Sequence, residues 1–117
     1  DPSNPKLTGQ VWLGGMLGKA DEVNGRTVDG APQMIQLSLD GKRLFVTTSL
    51  FSTWDNQFYP SMKENGGMML IVDCDPENGG MKIREDFMID LGKEPNGPAR
   101  AHETRYPGGD CSSDIWV

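Results

Sequence analysis

Residues 33 to 48 constrain this chain more than any other stretch. From Gln33 to Leu39 the side chains alternate, with Ile35, Leu37 and Leu39 on one face and Met34, Gln36 and Ser38 on the other. That two-residue period is the mark of a half-buried strand. Asp40-Gly41 follows at once, a strong hairpin signal because both central residues of a tight type I′ turn need positive φ. Lys42 to Thr48 then resumes as a second strand, rich in β-branched and aromatic residues. A chain whose best-patterned stretch is a hairpin must find partners for its strand edges, so the expected fold class is all-β.

The rest of the chain keeps that period. A second hairpin is expected from Met68–Asp73, a loop at Asp75-Pro76-Glu77-Asn78-Gly79-Gly80, and Met81–Ile83. Shorter strands are expected at Gln10–Leu13, Phe87–Asp90 and Asp114–Val117. Helix signals are thin: no long window carries an apolar face at helical spacing free of Gly and Pro. At most Tyr59–Asn65 makes one turn, with Pro60 suited to a first helical position. Two connections, Gly18–Pro32 and Gly92–Arg100, read as irregular and exposed.

The two hairpin units are phrased like β-propeller blades, in which four-stranded sheets repeat around a channel. A blade takes roughly 40–50 residues, so 117 residues supply about two, whereas closure needs at least about four. The expectation is therefore a single piece, residues 1–117 with no internal domain boundary, of a longer propeller whose remaining blades cover its flanks.

Charge and cysteine content narrow the function classes. A net charge of −6 argues against nucleic acid as a partner, since phosphate neutralisation needs clustered Lys and Arg. No apolar run approaches the roughly 18 residues of a membrane span. Cys74 and Cys111 are too few for a disulfide framework, which leaves two reduced thiols or one Cys74–Cys111 bridge. With the absence of any Asn-x-Ser/Thr acceptor, this points to a cytoplasmic protein. A bacterial member with an upstream signal peptide would be periplasmic instead.

Met34-Ile35-Gln36-Leu37-Ser38-Leu39-Asp40-Gly41-Lys42-Arg43-Leu44, Thr47-Thr48-Ser49-Leu50, Trp54-Asp55 and Gln57-Phe58-Tyr59-Pro60 closely resemble the selenium-binding protein family, also described as methanethiol oxidases. The opening Asp1–Gln10 and the tail from Ala101-His102-Glu103 through Arg105–Trp116 resemble the same family, the tail its C-terminal end. The likeness covers nearly the whole chain and falters at Gly18–Gly30. It implies the C-terminal blades, about two, of a seven-bladed propeller. It further implies oxidation of methanethiol by dioxygen to formaldehyde, hydrogen peroxide and hydrogen sulfide, with copper as cofactor. Selenium would be held by upstream cysteines outside this chain. The piece alone would not be an enzyme.

Under that resemblance His102, the one histidine, is the candidate catalytic and metal-binding residue. Its copper co-ligands would come from other blades, because one imidazole cannot build the site. Glu103 and Asp110 are further candidate ligands, and Glu103 could fix the imidazole tautomer as an acceptor. Cys111 is a candidate catalytic or selenium-carrying thiol, although only Arg105 stands near it in sequence to lower its pKa. The competing structural readings are a hydrogen-bonded channel histidine and an Asx/Ser turn at Asp110–Asp114. Phe51, Trp54, Phe58 and Tyr59 form either packing between blades or an apolar wall for a small thiol, with Asp55 and Gln57 at its rim. A second function class, a non-catalytic selenium or metal carrier and interaction scaffold, would use the same propeller.

Three motifs fail on chemistry. Gly14–Ala20 lacks the Ser or Thr of a phosphate loop, and Asp73–Arg84 lacks the central Gly and final Glu of a calcium loop. Ser112, His102 and Asp114 have no nucleophile elbow or oxyanion element.

Overall fold

The computed structural model describes residues 1–19 and 22–107. The expected strand Asp114–Val117 and the candidate site residues Asp110 and Cys111 lie outside them. Six strands run in the order β1 (Glu22–Val23), β2 (Arg26–Thr27), β3 (Ile35–Leu37), β4 (Arg43–Thr47), β5 (Met68–Cys74) and β6 (Met81–Asp90). Two short helices, α1 (Ser52–Phe58) and α2 (Met62–Asn65), join β4 to β5, and a 3₁₀ turn at Leu91–Lys93 follows β6. The fold is strand-dominated and antiparallel, with little helix, as the alternation predicts.

The two long hairpins are halves of one sheet. β3, β4, β5 and β6 form a four-stranded antiparallel meander in sequence order, the arrangement of a propeller blade. Ile35 lies opposite Val46, and Val46 opposite Leu70. Phe87–Asp90 is not a separate strand. It continues β6 beyond an irregularity where Val72 pairs Ile83 but Leu70 pairs Met88. The intervening residues swing away from the ladder, and the Glu85 carbonyl there accepts the Asn24 N–H at 2.9 Å.

The turns differ from expectation for a physical reason. At Asp40-Gly41 only Gly41 has positive φ (70°), and the loop is closed outside it by Ser38 N–H donating to the Arg43 carbonyl at 2.8 Å. The Asp40 carboxylate accepts from Ser38 Oγ at 2.6 Å and Lys42 N–H at 3.1 Å, so the side chain organises a wider loop. The type I′ pattern appears at Asn24-Gly25 instead, with φ of 51° and 75°, between β1 and β2. Gly18–Pro32 is thus no exposed loop, since its hairpin places Val23 and Val28 in the core. Gln10–Leu13 joins no ladder, although Leu13 is buried. Gly92–Arg100 is irregular and mostly exposed beyond its 3₁₀ turn, as expected.

The core sits on one face of the meander. Val46, Met68, Leu70 and Val72 pack with Leu13, Val23 and Val28 from the N-terminal segment. β3 departs from this pattern: its apolar residues Ile35 and Leu37 are 53% and 37% exposed, while Gln36 and Ser38 are 3% and 8% exposed. Exposed apolar residues on an outer strand of the sheet are what contact with a further element would bury.

Candidate functional site

The connection between β4 and β5 and the segment after the 3₁₀ turn meet at one end of the sheet. α1 forms although Phe51, its N-cap, offers no side-chain acceptor. Asp55, in the first turn, reaches back past that cap and accepts the Leu50 N–H on Oδ1 at 3.3 Å. Its other oxygen accepts from Ser49 Oγ at 2.6 Å and from Arg100 Nη1 at 3.2 Å. Arg100 Nη2 donates to Asn56 Oδ1 at 2.6 Å and to the Met62 carbonyl at 2.8 Å. One guanidinium therefore ties α1 and α2 to the C-terminal segment. Asp55 is 3% exposed. It belongs to a buried ion pair, not to the rim of a pocket, and burial of the charges is tolerable because the carboxylate and guanidinium also bond Ser49, Asn56 and Met62.

His102 lies two residues beyond Arg100. Its carbonyl accepts from Thr47 Oγ1 at 2.7 Å, which anchors the backbone to the end of β4. Its Nδ1 lies 2.6 Å from the Leu50 carbonyl. A carbonyl can only accept, so Nδ1–H is the donor in this contact, and in a neutral imidazole that leaves Nε2 as the lone-pair nitrogen. The ring is exposed. A carbonyl partner on one nitrogen is the usual support of a histidine that ligates through the other.

Glu103 takes a different role from the one expected. Its Oε1 accepts from Arg105 Nη2 at 3.0 Å, and the acceptor that fixes the His102 tautomer is the Leu50 carbonyl. Glu103 Oε2 and Thr104 Oγ1 are buried without a hydrogen-bond partner among the described residues. Thr104 also lines a cleft of about 490 Å3 with Phe45, Met69, Arg105 and Tyr106. Among the described residues no three His, Cys, Asp or Glu side chains converge as a metal cluster; a single imidazole with its Nδ1 facing a carbonyl is the donor they offer at this end of the sheet. No helix among them is long and apolar enough to cross a membrane.

The aromatic residues form no part of this core. Phe51, Trp54 and Phe58 are exposed, with the Trp54 and Phe58 rings 5.0 Å apart along α1. Cys74 is a free, partly buried thiol, and burial pushes its pKa up, with the Asp73 carboxylate adding to the shift. A raised pKa keeps it protonated and unreactive, as its strand position suggests. Thr47 and Leu50 stand in a family-like string that gives them no site role, and Arg100 stands in none. Each acts across 45 or more positions of sequence, where pattern carries no signal.

The family model for the 56 kDa selenium binding protein matches residues 1–117. The chain belongs to the selenium-binding protein family. It is 55% identical to the methanethiol oxidase of Homo sapiens over all of this chain and 28% of that protein. It is 52% identical to selenium-binding protein 1 of Arabidopsis thaliana, over all of this chain and 27% of the relative. Among solved structures, an X-ray structure of a hypothetical selenium-binding protein from Sulfolobus tokodaii matches with a TM-score of 0.78 and 45% identity, covering all of this chain and 24% of that one. The chain thus spans about a quarter of the length of the relatives it matches. Both curated alignments run over 134 positions for 117 residues, so the relatives carry additional residues within this span. A single four-stranded antiparallel sheet covering a quarter of the solved relative is consistent with a partial propeller.

Proposed function

We propose that this chain is the C-terminal part of a methanethiol oxidase. The carrying observation is identity of 54–55% to proteins of that name along the entire chain. The proposed reaction takes methanethiol, dioxygen and one water to formaldehyde, hydrogen sulfide and hydrogen peroxide, in which the thiol carbon is oxidised and dioxygen reduced by two electrons. The whole seven-bladed propeller would orient the small thiol and dioxygen, and the blades beyond this piece would complete the centre. Copper, when bound, would supply a redox centre able to couple thiol oxidation to dioxygen reduction. His102 would be this chain's ligand through Nε2, because Nδ1–H is already committed to Leu50. Asp110 and Cys111 remain proposed contributors from the tail. Glu103 would act beside the site through Arg105.

The test replaces His102 by Ala in a full-length protein carrying this sequence. The expected outcome is a loss of bound copper and of methanethiol-dependent peroxide release. Unchanged copper content and turnover would remove His102 from the site. A second reading, a selenium or metal carrier, is favoured by the name selenium-binding protein on relatives of 50–52% identity. Protein that is copper-loaded, folded and without turnover would decide for the carrier.

A further inference from the structure

We propose that the buried Asp55–Arg100 pair is a positioning device for the His102 imidazole, holding it as the Nδ1–H tautomer with Nε2 outward. Its consequence for metal binding rests on the reading of His102 as a ligand, but the positioning itself does not. Two sets of bonds converge on one ring. On the acceptor side, the Asp55 carboxylate holds Leu50 by its N–H at 3.3 Å and Ser49 by its hydroxyl at 2.6 Å. Leu50 is the residue whose carbonyl faces Nδ1 at 2.6 Å. On the ring's own side, Arg100 bonds the same carboxylate at 3.2 Å and reaches Asn56 and Met62, fixing the backbone two residues before His102. Thr47 Oγ1 completes the anchorage at the His102 carbonyl.

The physical consequence follows from hydrogen-bond inventory. A neutral imidazole has one donor nitrogen and one acceptor nitrogen, and its tautomer is set by whichever partner is held in place. The Leu50 residue is held through its N–H by one buried carboxylate, and the segment leading to His102 by the cation paired with it. Weakening that pair releases both partners together. The ring then exchanges its carbonyl for water and populates both tautomers, which halves no fold contact but removes the fixed direction of Nε2.

The experiment uses the full-length, metal-free protein labelled with 15N-histidine, at a pH well above the ordinary imidazole range of about 6.5. His102 signals are assigned by their loss in His102→Gln. The wild type is expected to show Nδ1 protonated and Nε2 unprotonated. Arg100→Lys and Asp55→Asn are each expected to give averaged shifts from both tautomers. Ser49→Ala, which removes one bond to the carboxylate and no charge, is expected to give a smaller displacement in the same direction. If the two charge variants fail to fold, Ser49→Ala decides alone. A wild type protonated at Nε2, or unchanged shifts in the folded variants, overturns the proposal. Copper affinity is read separately: Arg100→Lys should lower it about 10- to 100-fold, as loss of ligand orientation does elsewhere. Averaged tautomers with unchanged copper affinity would leave the positioning pair standing and sink only the ligand reading of His102.

Discussion

Asp73, Asp75 and Asp40 show how single carboxylates are tuned on this surface. Asp75 is held below the ordinary carboxylate range chiefly by the backbone N–H of Asn78, then by the Asn78 side chain and the Glu77 N–H. Asp73 is lowered chiefly by its hydrogen bond from Arg84, and Asp40 by that from Ser38. A depressed folded-state pKa contributes stability above the unfolded value of about 3.9, and this is lost as pH falls through the folded value. Acid should therefore loosen the Asp40 and Asp75 loops below about pH 4. Asn78→Ala should raise the Asp75 midpoint, short of the free value because the backbone donors remain. Carboxyl 13C titration checks this, and an unmoved midpoint would contradict it. The Asp75 turn was legible from Asp-Pro-Glu-Asn-Gly-Gly, because its partners lie within three residues. The Asp55–Arg100 pair was not, because its partners are 45 positions apart.

Among the elements, β4 and β5 were legible in the sequence because runs of β-branched, aromatic and apolar residues lie between clear turn signals. β1 and β2 have two residues each, too few to show a period, and only Asn24-Gly25 marks them. Their weight is nonetheless structural, since Val23 is fully buried while Glu22 beside it is exposed. Val23→Ala should cost about 2 kcal/mol in urea unfolding of the full-length protein, and Glu22→Ala less than about 0.5 kcal/mol. Equal effects would mean that the hairpin does not seal the core. α1 escaped notice for a different reason: its buried residue is Asp55, so no apolar face announces the helix. The one-turn expectation at Tyr59–Asn65 was met in part by α2, which begins after Pro60 at Met62.

At the scale of the molecule, Ile35 and Leu37 form an apolar strip that stays 53% and 37% exposed. In a protein about four times this length, as the relatives are, a neighbouring blade would cover it. Ile35→Lys in the full-length protein should then cost about 2–3 kcal/mol, read as a lowered denaturation midpoint. A neutral result would show that the strip faces water. What the sequence determined by itself was the local chemistry: strand period, the Asp75 turn, and a single histidine in a family-like tail. These depend on neighbours within a few residues, so they survive without a fold. Only the tertiary structure decided which side of β3 is buried, that Asp55 is an internal ion-pair partner, and that the Leu50 carbonyl faces the His102 ring. Those contacts join residues tens of positions apart, and their energy exists only once the chain has closed the distance.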